Sequence, residues 1–509
     1  MLFNSYPFIM NFLPIALIGF LWIGSCGHHR MAMLWLVLAS SFFYGWWNYK
    51  YLPLIFGSII FNYAIGRILI VEGMPASRRL AAMQFGVVVN VLLLGFYKYS
   101  NFIVDNVVDL VGVDVNFEQV ILPLAISFFT IQQIGFVVDT YRDRIGSRSL
   151  LKYGLFVLFF PHLIAGPIIH HKEMLPRLEN PRIFRFDSRR LAIGLTVFAI
   201  GLAKKVLIAD RTLRYVSPAY YAVDSGVTLT FFEAWSASLG YTFQLYFDFS
   251  GYSDMATGLA YLFGIRMPAN FNSPYKAVSI IDFWRRWHIT LSRFLRGYLY
   301  VPLGGNRKGA GRRHANLMIT MLIGGLWHGA GWNFLLWGGL HGGFLIINHG
   351  WRRWTGPSQG TGGRLGNWLG WLLTFLAVVF AWVPFRAKSL EGAVSVWESM
   401  LGFHGLSLPP WGALATWGDP IQIPAYDPYL FIPWCLLLFV LTLYFPNTQQ
   451  WMGRYNPAWR GEGALGASVV HPLRMGLRTT AAEAVVILGL LVLSLAQLEQ
   501  ATEFLYFQF

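Results

Sequence analysis

A chain of 509 residues that is 55% hydrophobic and 12% charged, with a mean hydropathy of +0.49, carries more apolar surface than a water-soluble globule can hide. The net charge of +15 is local rather than spread along the chain, so it marks membrane topology and gives no reason to expect a nucleic-acid partner. Two cysteines, Cys26 and Cys435, are too few for a disulfide framework or a cysteine metal site and read as packing residues in apolar segments.

Apolar windows of about 17 to 25 residues are long enough to cross a bilayer as helices. In chain order they are expected at 8–26, 31–49, 52–71, 80–96, 118–138, 151–169, 190–209, 227–247, 315–348 (as two pieces), 366–385, 428–445 and 480–497. The runs are long and do not alternate, which excludes a β-barrel. About twelve transmembrane helices follow, in one all-α polytopic membrane domain covering 1–509. The Gly- and Pro-broken segments 118–138 and 160–170 are candidates for re-entrant pieces. The first segment lacks a basic region and a small-residue cleavage site, so it is kept as a structural span.

From Asp282 to Arg313 there are eight basic residues against one acid, which places this segment in the cytoplasm, facing lipid headgroups or a phosphorylated substrate. The same rule applied to Arg30, and to Arg454, Arg460, Arg474 and Arg478, puts both termini on the outer side.

Ionisable groups at membrane depth are expensive and mark sites or water-filled paths. Asp248 and Asp254 lie in "LYFDFSGYSDMATGLAYLFG", where they could equally be cap or turn residues. His162 follows Pro161, and His341 sits in "GGLHGG", where helix packing accounts for the glycines. His328 stands in the 34 residues from Ala315 to Asn348, which hold eight glycines and no Asp, Glu, Lys or Arg. Trp327 and the surrounding glycines suggest a backbone that bends and lets a ligand approach. His288 is expected on a helix where Trp284, Arg285 and Arg286 give a basic, aromatic-walled face. Imidazole is the usual general base near neutral pH, so His328 and His288 are candidate bases in a membrane tunnel. No H-x-x-x-H spacing supports metal ligation.

"FWRRWHITLSRFLRGYLYVPLGGNR" followed by "GGLWHGAGWNFLLWGGLHG" resembles the signature of the membrane-bound O-acyltransferase (MBOAT) family. "ISFFTIQQIGFVVDTYR", "FFPHLIAGPI" and "QLYFDFSGYSDMATGLAYLFGI" are similar to the bacterial polysaccharide O-acetyltransferase branch, with a motif core at about 120–345. The resemblance implies a fold with a central tunnel, in the inner membrane of a bacterium. It implies transfer of an acetyl group from a cytoplasmic donor, acetyl-CoA, with no bound cofactor, towards an exported polysaccharide such as alginate or cellulose. A periplasmic SGNH-hydrolase-like partner would complete delivery. It also implies that His328 deprotonates the incoming hydroxyl while His288 positions the thioester. Arg285 and Arg286 would suit the phosphates of coenzyme A, and Trp284, Trp327 and Asp248 would line the tunnel. The closing segment 480–509 ends in "FLYFQF", where Tyr506 is a candidate for acyl relay or exit docking. The alternatives are D-alanyl or other acyl transfer to an envelope polymer, and a transporter without covalent chemistry.

Overall fold

In the computed structural model, which describes residues 1–112, 117–356, 363–406, 428–459, 481–498 and 505, the regular structure is helical apart from one isolated bridge between Pro268 and Trp459. A π turn, Pro7–Phe12, leads into α1 (Leu13–Ser25), with prolines at the starts, where a missing N–H costs no intrahelical bond. Then α2 (His29–Asn48) and α3 (Leu52–Leu69) are joined by a tight turn in which Asn48 accepts the Lys50 N–H at 3.0 Å. Next, α4 (Ala76–Val111) has 36 residues, roughly 54 Å at the α-helical rise. It overruns the expected 80–96 because Lys98, Tyr99, Asn101 and Asp105 interrupt the apolar pattern without interrupting the helix. The helix stops at Gly112, whose φ of +68° only glycine adopts cheaply.

Of the two segments expected to be re-entrant, 118–138 is helical only from Ile126 and then unbroken through Gly135, whereas 160–170 holds a single helical turn. α5 (Ile126–Asp143) starts eight residues later than 118, after a left-handed Ala125. Over 151–169 only α6 (Leu150–Leu158) and a single turn, α7 (Phe160–Leu163), are helical, since Pro161 and Pro167 withhold N–H groups from any longer helix. A short α8 (His171–Met174) precedes α9 (Ser188–Ala203), which continues through a π turn into α10 (Asp210–Asp224).

The central element is α11 (Phe231–Leu262), started by a Thr230–Glu233 capping box and buried around its whole circumference from Gly240 onward. It packs on α9 through facing glycines. A Cβ on Gly201 would lie 2.6 Å from the Gly251 carbonyl oxygen, and one on Gly258 would lie 2.6 Å from that of Gly194. The basic segment forms α12 (Ile280–Trp284) and α13 (Ile289–Leu295). The charge-free run forms α14 (Gly309–His328) and α15 (Trp332–Thr355), in two pieces as expected. The chain continues through α16 (Gly363–Arg386), α17 (Leu390–Met400), α18 (Pro428–Tyr444), α19 (Thr448–Trp451) and α20 (Ala481–Ala496).

Among the described residues five stretches are long and apolar enough to cross a membrane: Pro7–Ser25, His29–Leu69, Ala76–Val111, Ser188–Asp224 and Gly363–Arg386. Two shorter apolar helices lie at Leu430–Tyr444 and Ala481–Ala496. The other expected spans are broken, or are buried and polar enough to fall short. Cys435 is buried as expected, whereas Cys26, just beyond α1, is exposed.

Candidate active site

Residues 285–288 do not continue α12, which corrects the expected helix through His288. Its φ of +41° and ψ of +53° put His288 in the left-handed region, where a non-glycine residue stays only if its surroundings hold it. The loop before α12 does so. Backbone bonds run from Asn272 N to Arg286 O and from Ile289 N to Asn270 O, both at 2.9 Å. The Asn270 side-chain oxygen lies 3.1 Å from His288 Nδ1 and accepts from Thr290 Oγ1 at 2.9 Å and from Thr290 N at 3.3 Å. An atom that accepts a backbone N–H is the amide oxygen, so His288 carries its proton on Nδ1 and presents the Nε2 lone pair. Asn270 was not singled out from the sequence, where "MPANFNSP" reads as a turn.

The break also separates the two arginines. Arg285 is exposed, while Arg286 turns inward to Asp282 at 2.9 Å and the Asn272 carbonyl at 3.3 Å. The single basic face expected around His288 is therefore absent, because the left-handed residue points the imidazole away from Arg285.

His328 is the last residue of α14, and its ring centroid lies 6.3 Å from that of His288. Trp327, Trp337 and Phe385 surround it at 5.0, 5.1 and 5.3 Å. Gly325 and Gly329 have a packing role, where α15 approaches α14. A Cβ on Gly325 would stand 2.1 Å from the Phe334 carbonyl oxygen, and one on Gly329 would stand 2.0 Å from the Phe334 ring. His341 is buried against Phe283, Trp284, Trp337 and Trp382, and neither ring nitrogen has a hydrogen-bond partner among the described residues. His162 is buried in the α7 turn beside Phe159.

Two cavities approach the histidine pair. One, of about 410 Å³, is lined by Met1, Trp46, Lys98, Ser127, Trp327 and His328. The other, of about 540 Å³, is lined by Trp284, Arg285, Thr290, Arg293, Arg296 and Met321. The first turn of α5, Ile126 to Phe128, lines the first cavity, and Arg142 in the last turn of the same helix sits over the Tyr298 ring.

Of the other expected site residues, Trp327 lines the first cavity and Trp284 and Arg285 the second, while Arg286 and Asp248 line neither. The Asp248 carboxylate is 2.6 Å from Lys205 Nζ and accepts the Leu505 backbone N–H at 3.1 Å, so it anchors the chain's end to α11. Lys205 also meets Asp210 at 2.8 Å. Tyr506 lies outside the described residues.

Comparison with known proteins gives this arrangement a family. A sequence model of the membrane-bound O-acyltransferase family matches residues 137–385. A peptidoglycan O-acetyltransferase of Helicobacter pylori is 46% identical over 436 residues, 80% of this chain and 81% of that protein. A protein of Pseudomonas aeruginosa described as a probable alginate O-acetylase is 41% identical over 408 residues, 79% of this chain and 75% of that one. A teichoic acid D-alanyltransferase of Bacillus subtilis is 26% identical over 279 residues, 52% of this chain and 69% of that one. With a buried imidazole pair inside a helical membrane fold, these matches establish that the chain belongs to the membrane-bound O-acyltransferase family and is an acyltransferase.

Proposed function

We propose that this acyltransferase moves an acetyl group from cytoplasmic acetyl-CoA to a hydroxyl of an exported envelope polysaccharide, with His328 as general base. The observation that carries the reading is the buried His288–His328 pair with a cavity beside each, one lined by His328 itself and the other by Ile289 and Thr290, the residues that follow His288. The cavity bearing Arg285, Arg293 and Arg296 suits the donor, because guanidinium groups pair well with phosphates. The acceptor reaches His328 from the other side. His328 takes the hydroxyl proton as the oxygen bonds to the thioester carbon. The C–S bond then breaks, and the proton passes to the departing thiolate. His288, held by Asn270, orients the thioester with its Nε2 side towards the reacting group.

Arg67, Arg79 and Arg142 lie at the ends of their helices, and Arg79 is in the first turn of the helix whose Lys98 lines the first cavity 19 residues on, which supports the end opposite that cavity as cytoplasmic. Met1 lines the opposite cavity, and Tyr6 donates to the Leu495 carbonyl at 2.7 Å, which supports both chain ends on the outer, periplasmic face of the inner membrane. Tyr506 is the candidate acyl relay on this reading, and an SGNH-hydrolase-like periplasmic partner would collect the acetyl group. The relatives' names favour glycan hydroxyls, peptidoglycan or alginate, with cellulose a further acceptor of the same chemistry. D-alanyl transfer is the second reading, favoured by the Bacillus subtilis relative over a shorter match.

His328→Ala is expected to abolish acetate on the exported polymer, measured by mass analysis, with normal abundance in the membrane. Normal acetylation in that variant would falsify the base assignment and favour a transporter. Full acetylation after removal of residues 504–509 would refute the Tyr506 relay.

A further inference from the structure

A helix leaves its last four carbonyl groups without intrahelical partners, and at α14 those belong to Gly325, Leu326, Trp327 and His328. The first is met by the Gly329 N–H at 3.3 Å. The other three are met by two consecutive residues of α4, a helix more than 200 residues away in sequence. Tyr99 donates its hydroxyl to the Leu326 carbonyl at 2.7 Å. Lys98 Nζ donates to the Trp327 carbonyl at 2.6 Å and to the His328 carbonyl at 3.0 Å. The Ser127 hydroxyl, 3.3 Å from Nζ, is its third acceptor.

Three acceptors use all three N–H bonds of an ammonium group, so Lys98 has none left to offer a reacting oxyanion. No carboxylate lies within 4 Å of it among the described residues. Its charge is balanced instead by the negative end of the α14 dipole, and the contact is nine-tenths buried, where a cation on terminal carbonyls is worth most. The chain leaves the helix at once, with Gly329 extended at φ −155°, so this clamp fixes the backbone that aims the His328 imidazole.

We propose that Lys98 and Tyr99 are positioning residues for acyl transfer, acting as a cap supplied in trans by α4 that holds His328 against His288 at the wall of the outer cavity. The inference rests on the reading of His328 as the base.

The test uses the full chain in lipid nanodiscs, with Lys98→Met and Tyr99→Phe. Two quantities are measured: kcat and KM for transfer from acetyl-CoA, and amide hydrogen exchange of the segment 324–331. Lys98→Met should lower kcat on the order of 10- to 100-fold while KM for the donor changes less than about threefold, the pattern of a lost transition-state alignment. Exchange at 326–329 should quicken about tenfold, with the rest of the protein unchanged. Tyr99→Phe, a milder change that removes one oxygen, should lower kcat about fivefold, the range of one neutral hydrogen bond. It carries the test alone should the methionine variant not accumulate. Wild-type kcat together with wild-type exchange in either variant overturns the proposal, as does a KM that rises in proportion to the lost activity. A wild-type chain inactive towards acetyl-CoA would sink the donor assignment, while the exchange data would still decide the cap.

Discussion

Asn270→Ala tests how the site holds its second imidazole. The amide oxygen serves three donors, His288 Nδ1 at 3.1 Å, Thr290 Oγ1 at 2.9 Å and Thr290 N at 3.3 Å, in a region where His288 is fully buried. Withdrawing the acceptor from one such donor costs about 1–3 kcal/mol. His288 also sits at φ +41°, a conformation that costs of order 1–3 kcal/mol and needs those bonds to persist. If about 1.4 to 2.8 kcal/mol of this appears as lost alignment in the transition state, kcat falls roughly 10- to 100-fold. The remainder appears as reduced stability. Asn270→Asp keeps an acceptor for all three donors and loses only the 3.3 Å donation to Ser253, so it should lie between wild type and alanine. The assay is transfer of labelled acetyl from acetyl-CoA in proteoliposomes, with nitrogen NMR of the imidazoles to read the His288 tautomer. An alanine variant with wild-type kcat, or an aspartate variant slower than alanine, would refute the reasoning.

The two neighbouring arginines should separate cleanly. Arg285→Ala should raise the KM for acetyl-CoA about tenfold and leave the KM for a short acetyl thioester without phosphates unchanged, since Arg285 faces the basic cavity. Arg286→Ala should instead lower the yield of folded protein, by leaving the half-buried Asp282 carboxylate unpaired, as measured by thermal unfolding in detergent. Gly338→Ala should fail to fold or lose about 1–3 kcal/mol, because its Cβ would meet the Met321 carbonyl oxygen at 2.4 Å. Gly331→Ala, whose nearest neighbour is 3.5 Å away, should be tolerated, and equal thermal unfolding for the two would contradict the packing account.

The sequence made His328 legible because burial cost singles out a lone imidazole in a charge-free run, and the helices around it announced themselves by apolar length. The break at His288 had no comparable signal. A left-handed histidine between two helical patterns looks like any other helical residue until the 270–272 loop that holds it is in view. Asn270 and Lys98 were missed for the same reason. Their partners lie 18 and about 230 residues away, and a short polar side chain near a proline or a lysine near a span end has an ordinary local explanation. Glycine misled in the other direction. The glycines of 324–343 read as room for a ligand, and at Gly325, Gly329, Gly338 and Gly342 the close approach is that between α14 and α15.

An enzyme that joins compartments must bring donor and acceptor together without opening a water path, since water in the site would hydrolyse the thioester and weaken every electrostatic contact there. Here the barrier is thin. On α14, Met321 lines the cavity that bears Arg285 and Trp327 the one that bears Lys98, six residues or roughly 9 Å apart along the axis. Trp284, Trp327, Trp337 and Trp382 fill that interval around three imidazoles. On the proposed reading, a flexible thioester arm would cross roughly 9 Å of aromatic wall while its phosphates stay on the arginines behind it. The group that passes is then an uncharged acetyl, the only part of the donor that an aromatic wall of low polarity admits without a large desolvation cost. On this geometry no rocking of helices is required for turnover, and cross-links that freeze α14 against α15 should leave transfer intact.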